Sequence, residues 1–137
     1  MSKSLVIDTN LIFSSLLPHE SRIRDVLLDD DFTLYAPNYI ISEIFHHQRK
    51  LLKYTKLNDV EFFAFFNSII ERVKFIPLDV ISTQSRQKAY DLCKDIDPKD
   101  TPFVALSIEL NILLWTGDKK LKTGLKAKGF DGFYEFI

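Results

Sequence analysis

Apolar residues along this chain follow two rhythms. Ser4 to Asp8, Phe32 to Ala36, Val73 to Ile76 and Ile112 to Thr116 are short, nearly continuous apolar runs, and each predicts a buried strand. Between them the apolar positions recur at helical spacing. Ile23, Val26 and Leu27 predict a helix over 21–28. Ile40, Ile41, Ile44 and Phe45 predict one from Pro37-Asn38 to about Lys50, and Leu57-Asn58-Asp59 opens another through Glu71. Thr9-Asn10 offers a cap for a short helix over Leu11-Ile12-Phe13, which Leu16, Leu17 and Pro18 end.

Val80 to about Lys94 reads as helix, and Asp95-Ile96-Asp97-Pro98 as a loop. Asp100 is placed to cap a helix through Leu110, with Pro102 in its first turn. Gly117 turns the chain, Asp118 opens a lysine-rich helix and Gly129 ends it. Phe130 to Phe136 reads as a last strand or edge segment. Short apolar strands separated by helices predict an α/β fold, a parallel sheet sandwiched between helices. No linker divides the chain, so residues 1–137 read as a single domain.

Composition narrows the class. The 137 residues are 46% hydrophobic and 27% charged, enough apolar material for one core. No apolar run approaches the roughly 20 residues needed to cross a bilayer. The start, Met1-Ser2-Lys3-Ser4, runs straight into the first strand with no signal-peptide pattern. The single cysteine, Cys93, cannot form an internal disulfide and reads as a small, partly buried side chain. The expected compartment is therefore the cytoplasm, with no membrane partner.

A formal net charge of −1 gives no global signal for nucleic acid. Local charge gives more. Lys119, Lys120, Lys122, Lys126 and Lys128 fall in a stretch without acids, and His46, His47, Arg49, Lys50 and Lys53 follow Glu43. A charge run is usually a solvated helix face. These two begin within a few residues of an acid singled out below. His19, His46 and His47 form no zinc-ligand pattern, and the adjacent pair points to different helix faces.

The acids carry the chemistry. Asp8 ends the first strand, Glu43 lies on an otherwise apolar helix face, Asp100 starts a helix, and Asp118 follows Thr116-Gly117 after the last apolar strand. In α/β sheets, ligands bind beyond the carboxyl ends of the strands. One sheet edge could gather all four acids, with carboxylates within a few ångströms of a shared cation. Clustered carboxylates repel unless a hard cation neutralises them, and an all-oxygen set without Cys or His suits Mg²⁺ or Mn²⁺. Such ions act on phosphate esters. Each acid also has a plainer reading. Asp100 and Asp118 suit helix caps, whereas a charge on Glu43's apolar face, or at Asp8 after a buried strand, has no structural reason. Asn10 reads as a cap or as a group orienting Asp8. Thr116 reads as an ordinary strand residue or as a hydroxyl holding a ligand carboxylate in place.

These ordered elements resemble the PIN domain family, in particular its small single-domain kind that includes the VapC toxins. The likeness rests on Val6-Ile7-Asp8-Thr9-Asn10, on Ala36-Pro37 followed by Glu43, on Asp100 five residues before Ala105, and on Thr116-Gly117-Asp118. It covers nearly the whole chain. It implies a Rossmann-like fold and a metal-dependent endoribonuclease with Asp8, Glu43, Asp100 and Asp118 as catalytic ligands, leaving a 5′-phosphate and a 3′-hydroxyl. It also implies a homodimer, often held inactive by an antitoxin protein. Asp97, three residues before Asp100, departs from the plainest pattern and reads as an outer partner or substitute third ligand.

Lys119, Lys120 and Lys122 are the expected RNA contacts. The phenylalanine-rich helix, with Phe62, Phe63, Phe65 and Phe66, is apolar almost all round and predicts core on one face and a partner on another. Other acid-rich α/β classes fit less well. A phospho-acceptor domain needs an Asp ending a central strand, and a haloacid-dehalogenase-like phosphatase needs Asp-x-Asp where this chain has Asp8-Thr9-Asn10. A PIN fold serving only as an RNA- or protein-binding module is the remaining alternative.

Overall fold

In the computed structural model, residues 3–15, 21–53 and 58–135 are described. The expectations at Leu16, Leu17, Pro18, His19, Leu57 and Phe136, and for the Arg49 side chain, lie outside what is described.

Strands β1 (Lys3–Ile7), β2 (Phe32–Pro37), β3 (Val73–Ile76) and β4 (Leu113–Trp115) form one parallel sheet in the order β3-β2-β1-β4. Leu5 sits level with Leu34 on one side and Leu113 on the other. Leu5, Val6 and Ile7 are all fully buried, so consecutive residues, which point to opposite faces, are both covered. The chain moves from β1 through β2 to β3, then crosses back to place β4 on the far side of β1. The strand order therefore reverses between β1 and β4, where α/β folds open a binding crevice.

Among the described residues seven α-helices flank the sheet: α1 (Thr9–Ser15), α2 (Ser21–Leu27), α3 (Ile40–Leu52), α4 (Asp59–Arg72), α5 (Thr83–Cys93), α6 (Thr101–Leu110) and α7 (Lys119–Ala127). Among the described residues none is long and apolar enough to cross a membrane. Single 3₁₀ turns occupy Leu78–Val80 and Pro98–Asp100.

Several boundaries differ from expectation for local reasons. Pro37 stays in β2, level with Ile76 of β3, and α3 begins three residues later. Val80 belongs to a 3₁₀ turn. Helix α5 starts only after Ser82, whose hydroxyl accepts the Ser85 amide at 3.1 Å. Among the described residues the tail after Gly129 is an edge segment rather than a strand: Phe133 forms a bridge to Leu114, fixed by the bonds Leu114 N–H to Gly132 O and Tyr134 N–H to Leu114 O.

Helix α4 divides its phenylalanines. Phe62 and Phe66 are buried and stack at 5.9 Å, Phe65 is half-buried with the Arg24 guanidinium 5.9 Å from its ring, and Phe63 stays 38% exposed. On α3, Ile40 and Ile44 fill the core, whereas Phe45 is 58% exposed with its ring edge toward Phe66. Cys93 is fully rather than partly buried, and burial pushes its thiol up to about 11.

Two contacts set the loop before α6. Lys128 binds the Asp91 and Leu92 carbonyls, at 3.2 and 3.0 Å, and the Asp95 carboxylate at 3.0 Å, tying the end of α5 to α7. Gly124 lets α7 approach Ile96 closely, since a Cβ there would stand 2.6 Å from the Ile96 methyl. The segment carrying Asp97 and Asp100 is thereby held against the helix that Asp118 begins.

Candidate active site

The carboxyl ends of β1 and β4 deliver two acids to the crevice between them. Asp8 follows β1 and is 7% exposed. Its Oδ1 accepts the Leu11 amide at 3.0 Å, and its Oδ2 accepts the Thr116 hydroxyl. Asp8, rather than Thr9 or Asn10, therefore caps α1. The strand-end aspartate has a structural task after all, one oxygen serving the cap and the other the Thr116 hydroxyl.

Asp118 caps α7 in the same way, its Oδ1 accepting the Leu121 amide at 3.0 Å. The buried Thr116 hydroxyl donates to Asp8 and accepts from the Asp118 amide at 3.1 Å. Thr116 thus joins Asp8 to the Asp118 backbone through its hydroxyl. Glu43 lies in the first turn of α3, where the Thr9 hydroxyl donates to its Oε2 at 3.4 Å.

Asp100 behaves differently from its expected role. It stands at the start of α6, yet its side chain makes no capping bond. Its Oδ2 is buried with no hydrogen-bond partner among the described residues. The neighbouring Asp97 does cap, accepting the Lys99 amide at 3.1 Å to start the 3₁₀ turn.

These side chains share one cleft of about 530 Å³. Asp8, Glu43, Asp97, Asp100 and Asp118 all line it, with Asn10 at its wall. Burial first, and then the charges of Asp97, Asp118 and Asp8, push the Asp100 carboxyl up to about 7. Burial likewise raises Asp8 against the opposing bonds from Thr116 and Leu11, with the Asp118 charge adding to the rise.

Three residues of the cleft escaped the sequence reading. Tyr39 lies one helical turn before Glu43, and its ring packs against Phe103 at 6.1 Å. Burial and the charges of Glu43 and Asp100 push its phenol up to about 12. Lys99, between Asp97 and Asp100, is the one lysine lining the cleft among the described residues. Thr9 is the hydroxyl on Glu43. The four-residue spacing of Tyr39 and Glu43 was the available signal for the first.

The expected lysines lie elsewhere. Lys119 and Lys120 are exposed beside Asp118 but do not line the cleft. Lys122 pairs with Glu135 at 3.0 Å and Lys126 with the same carboxylate at 3.6 Å. His46 and His47 are exposed, as expected.

In donor chemistry the cleft fits a hard divalent cation. Its ligating groups are all oxygens, and it holds a buried carboxylate oxygen without a partner. The expected tight convergence is not found: among the described residues no three Asp, Glu, His or Cys side chains are arranged to hold one ion. The cause is local. Asp8 and Asp118 each turn one oxygen to a helix amide, and Glu43 faces Thr9.

Comparison with known proteins adds the family. A model of the PIN domain matches residues 6–133. No curated protein matches the chain. PIN domains are generally metal-dependent nucleases, the chemistry that a cleft of oxygen donors serves. Matched from its first strand to the residue that bridges β4, on a four-stranded parallel sheet flanked by helices, this chain belongs to the PIN domain family.

Proposed function

We propose that the chain is an endoribonuclease that hydrolyses phosphodiester bonds of single-stranded RNA with Mg²⁺ or Mn²⁺. The observation that carries this reading is the buried, unpartnered Asp100 oxygen in a cleft it shares with Asp8, Glu43 and Asp118. Those four acids would hold the ion. Bound there, it would supply Lewis-acid polarisation of a phosphoryl oxygen and a more acidic water.

The chain's own residues do the rest. Thr116 fixes the rotamers of Asp8 and the backbone of Asp118 together. Asp97 sets the turn that aims Asp100. The Tyr39 phenol keeps its proton across the physiological range and so can donate a hydrogen bond to a substrate oxygen. An unpaired strand suits the cleft because its phosphodiester can reach acids at a sheet edge. Cleavage of a short labelled RNA only with Mg²⁺ or Mn²⁺, stopped by chelator, tests the proposal. No cleavage under any divalent ion would reject it. One observation favours the second reading, a binding module without activity: among the described residues no three acids converge on one ion position. RNA bound but uncut in Mn²⁺ would support that reading instead.

Substrate grip is assigned first to Lys99. It lines the cleft, and among the described residues no carboxylate pairs with it. Lys99→Ala should weaken RNA binding at every sequence and reduce the salt slope by about one phosphate contact. Replacing Lys119 and Lys120 together should act in the same direction, whereas Lys122 is already engaged with Glu135. An unchanged salt slope in Lys99→Ala would remove it from the RNA track.

Toxin of a toxin–antitoxin pair is the biological setting we favour, with an antitoxin protein and a second copy of the chain as partners. The exposed Phe45 of α3, whose ring meets Phe66 of α4, and the exposed Phe63 of α4 support a homodimer through this side. Sedimentation at micromolar concentration should give a dimer, and Phe45→Glu with Phe63→Glu should dissociate it. A monomer in the unaltered chain rejects this arrangement.

A further inference from the structure

A second concavity opens beside the acidic cleft. It lies between the Leu78–Val80 turn, α5 and the start of α6, with a volume of about 360 Å³. Pro102 lines both concavities, and Thr101, which follows Asp100, lines the second. A ligand extending from the acids over Pro102 therefore enters this groove without leaving the surface.

The two chambers differ in chemistry. Five carboxylates line the first, and none lines the second among the described residues. Leu78, Ile81, Pro102 and Ala105 give the groove its apolar walls. Tyr90 adds an aromatic ring that is 49% exposed, although no core packing requires an aromatic at that half-open position. Thr83, Thr101 and Arg86 add polar side chains to the lining, the Thr101 hydroxyl donating to the Pro98 carbonyl at 2.7 Å. Arg86 is held in place by donating to the Leu78 carbonyl.

We infer that this groove is a nucleobase subsite of the same RNA track, in which an unpaired base next to the scissile phosphate stacks on Tyr90. This rests on the proposed nuclease reading and names where a neighbouring nucleotide goes. The occupant follows from the chemistry. A flat apolar ring system with polar edges matches an apolar groove that holds a half-exposed aromatic ring, two threonines and a cation. The absence of lining carboxylates and the presence of Arg86 admit a polyanion, which the acid cleft alone would repel. Continuity across Pro102 makes the base and the phosphate parts of one strand. Because stacking is tolerant of base identity, the subsite gives grip first and preference second.

The test uses the full chain and a short labelled RNA, together with versions carrying one abasic nucleotide at each position in turn. Cleavage by the unaltered chain should fall at one abasic position adjoining the cut. Tyr90→Ala should raise KM about 10-fold, within the range that loss of one base stack gives, and should abolish the difference between intact and abasic RNA. Tyr90→Phe should keep both. Tyr90→Trp should report occupancy directly, its fluorescence quenched on RNA addition above the signal of buried Trp115.

Thermal melting checks that the half-exposed position tolerates these changes. Cleavage with no abasic-sensitive position, or with KM unchanged in Tyr90→Ala, overturns the subsite and leaves the nuclease standing. Loss of self-association in Tyr90→Ala with RNA kinetics unchanged assigns the groove to a second copy and overturns it too. No cleavage by the unaltered chain removes the nuclease reading and the subsite together.

Discussion

Asn in place of Asp100 is expected to lower RNA cleavage by ~10²-fold or more while leaving the chain folded. Changes to groups that merely support metal ligands cost about 10- to 100-fold, so loss of a ligand should cost at least as much. The fold should survive because Asp100 contributes no capping bond and its Oδ2 has no partner to lose. The amide is nearly isosteric and removes a charge from a crowded, buried setting. Asp8→Asn should lose activity similarly, since an amide oxygen can still cap α1 through Leu11 while the second anionic oxygen is gone. A purely structural Asp100 would give the reverse pattern, with activity kept and about 1 kcal/mol of helix stability lost. Wild-type cleavage by Asp100→Asn in Mg²⁺ would sink the assignment. Activity lost together with the cooperative unfolding transition would leave a folding defect as the explanation, and far-ultraviolet circular dichroism separates that case.

Most of the fold was readable because its strands are short apolar runs and its helices keep one stripe. The order of the acids was readable for the same reason: strand ends and helix starts are marked locally. What those acids do with their oxygens was not. Asp100 looked like an N-cap because it precedes Thr101-Pro102. The 3₁₀ turn from Pro98 runs straight into α6 and leaves Asp100 at φ −85°, ψ −4°, whereas capping side chains normally need an extended backbone. Asp97, at φ −153°, ψ 104°, has that backbone and takes the capping role. Sequence alone gives Asp8 no structural task, because its partner Thr116 lies 108 residues away, a pairing that only the β1–β4 neighbourhood creates. Phe45 had the right spacing for a core residue. Ile40 and Ile44 already fill the buried stripe, and the next residue around the helix faces outward. The lysines after Asp118 read as one basic run, yet Glu135 folds back to engage two of them.

The stability of the metal-free chain should fall as pH rises from about 4 to about 7, and a divalent cation should restore it. The sign follows from Asp100. Its carboxyl is raised from 3.8 to about 7 in the folded chain, first by burial and then by Asp97, Asp118 and Asp8. Between those values the folded state holds a proton that the unfolded state has released. Unfolding is then favoured as pH rises, and the loss is complete once pH passes the folded value. At about 1.36 kcal/mol per unit, the upper limit from Asp100 is about 4 kcal/mol. Asp8 is shifted in the same direction and adds to it. Asp95, Glu109 and Glu135 are lowered by their hydrogen bonds and act oppositely, but they are exposed and solvent-screened. Lys99 lines the same cleft and its charge moderates the repulsion. An ion that binds only the folded, ionised acids stabilises by about 2.7 kcal/mol at a hundred times its dissociation constant. Mg²⁺ or Mn²⁺ should therefore raise the midpoint of urea unfolding strongly at pH 8 and hardly at pH 4.5. Asp100→Asn should flatten the pH dependence and blunt the response to metal, while being more stable than the parent at pH 8 without metal. A parent chain equally stable from pH 4.5 to 8 would show that the Asp100 carboxylate is not held in the unfavourable setting that its buried, unpartnered oxygen describes.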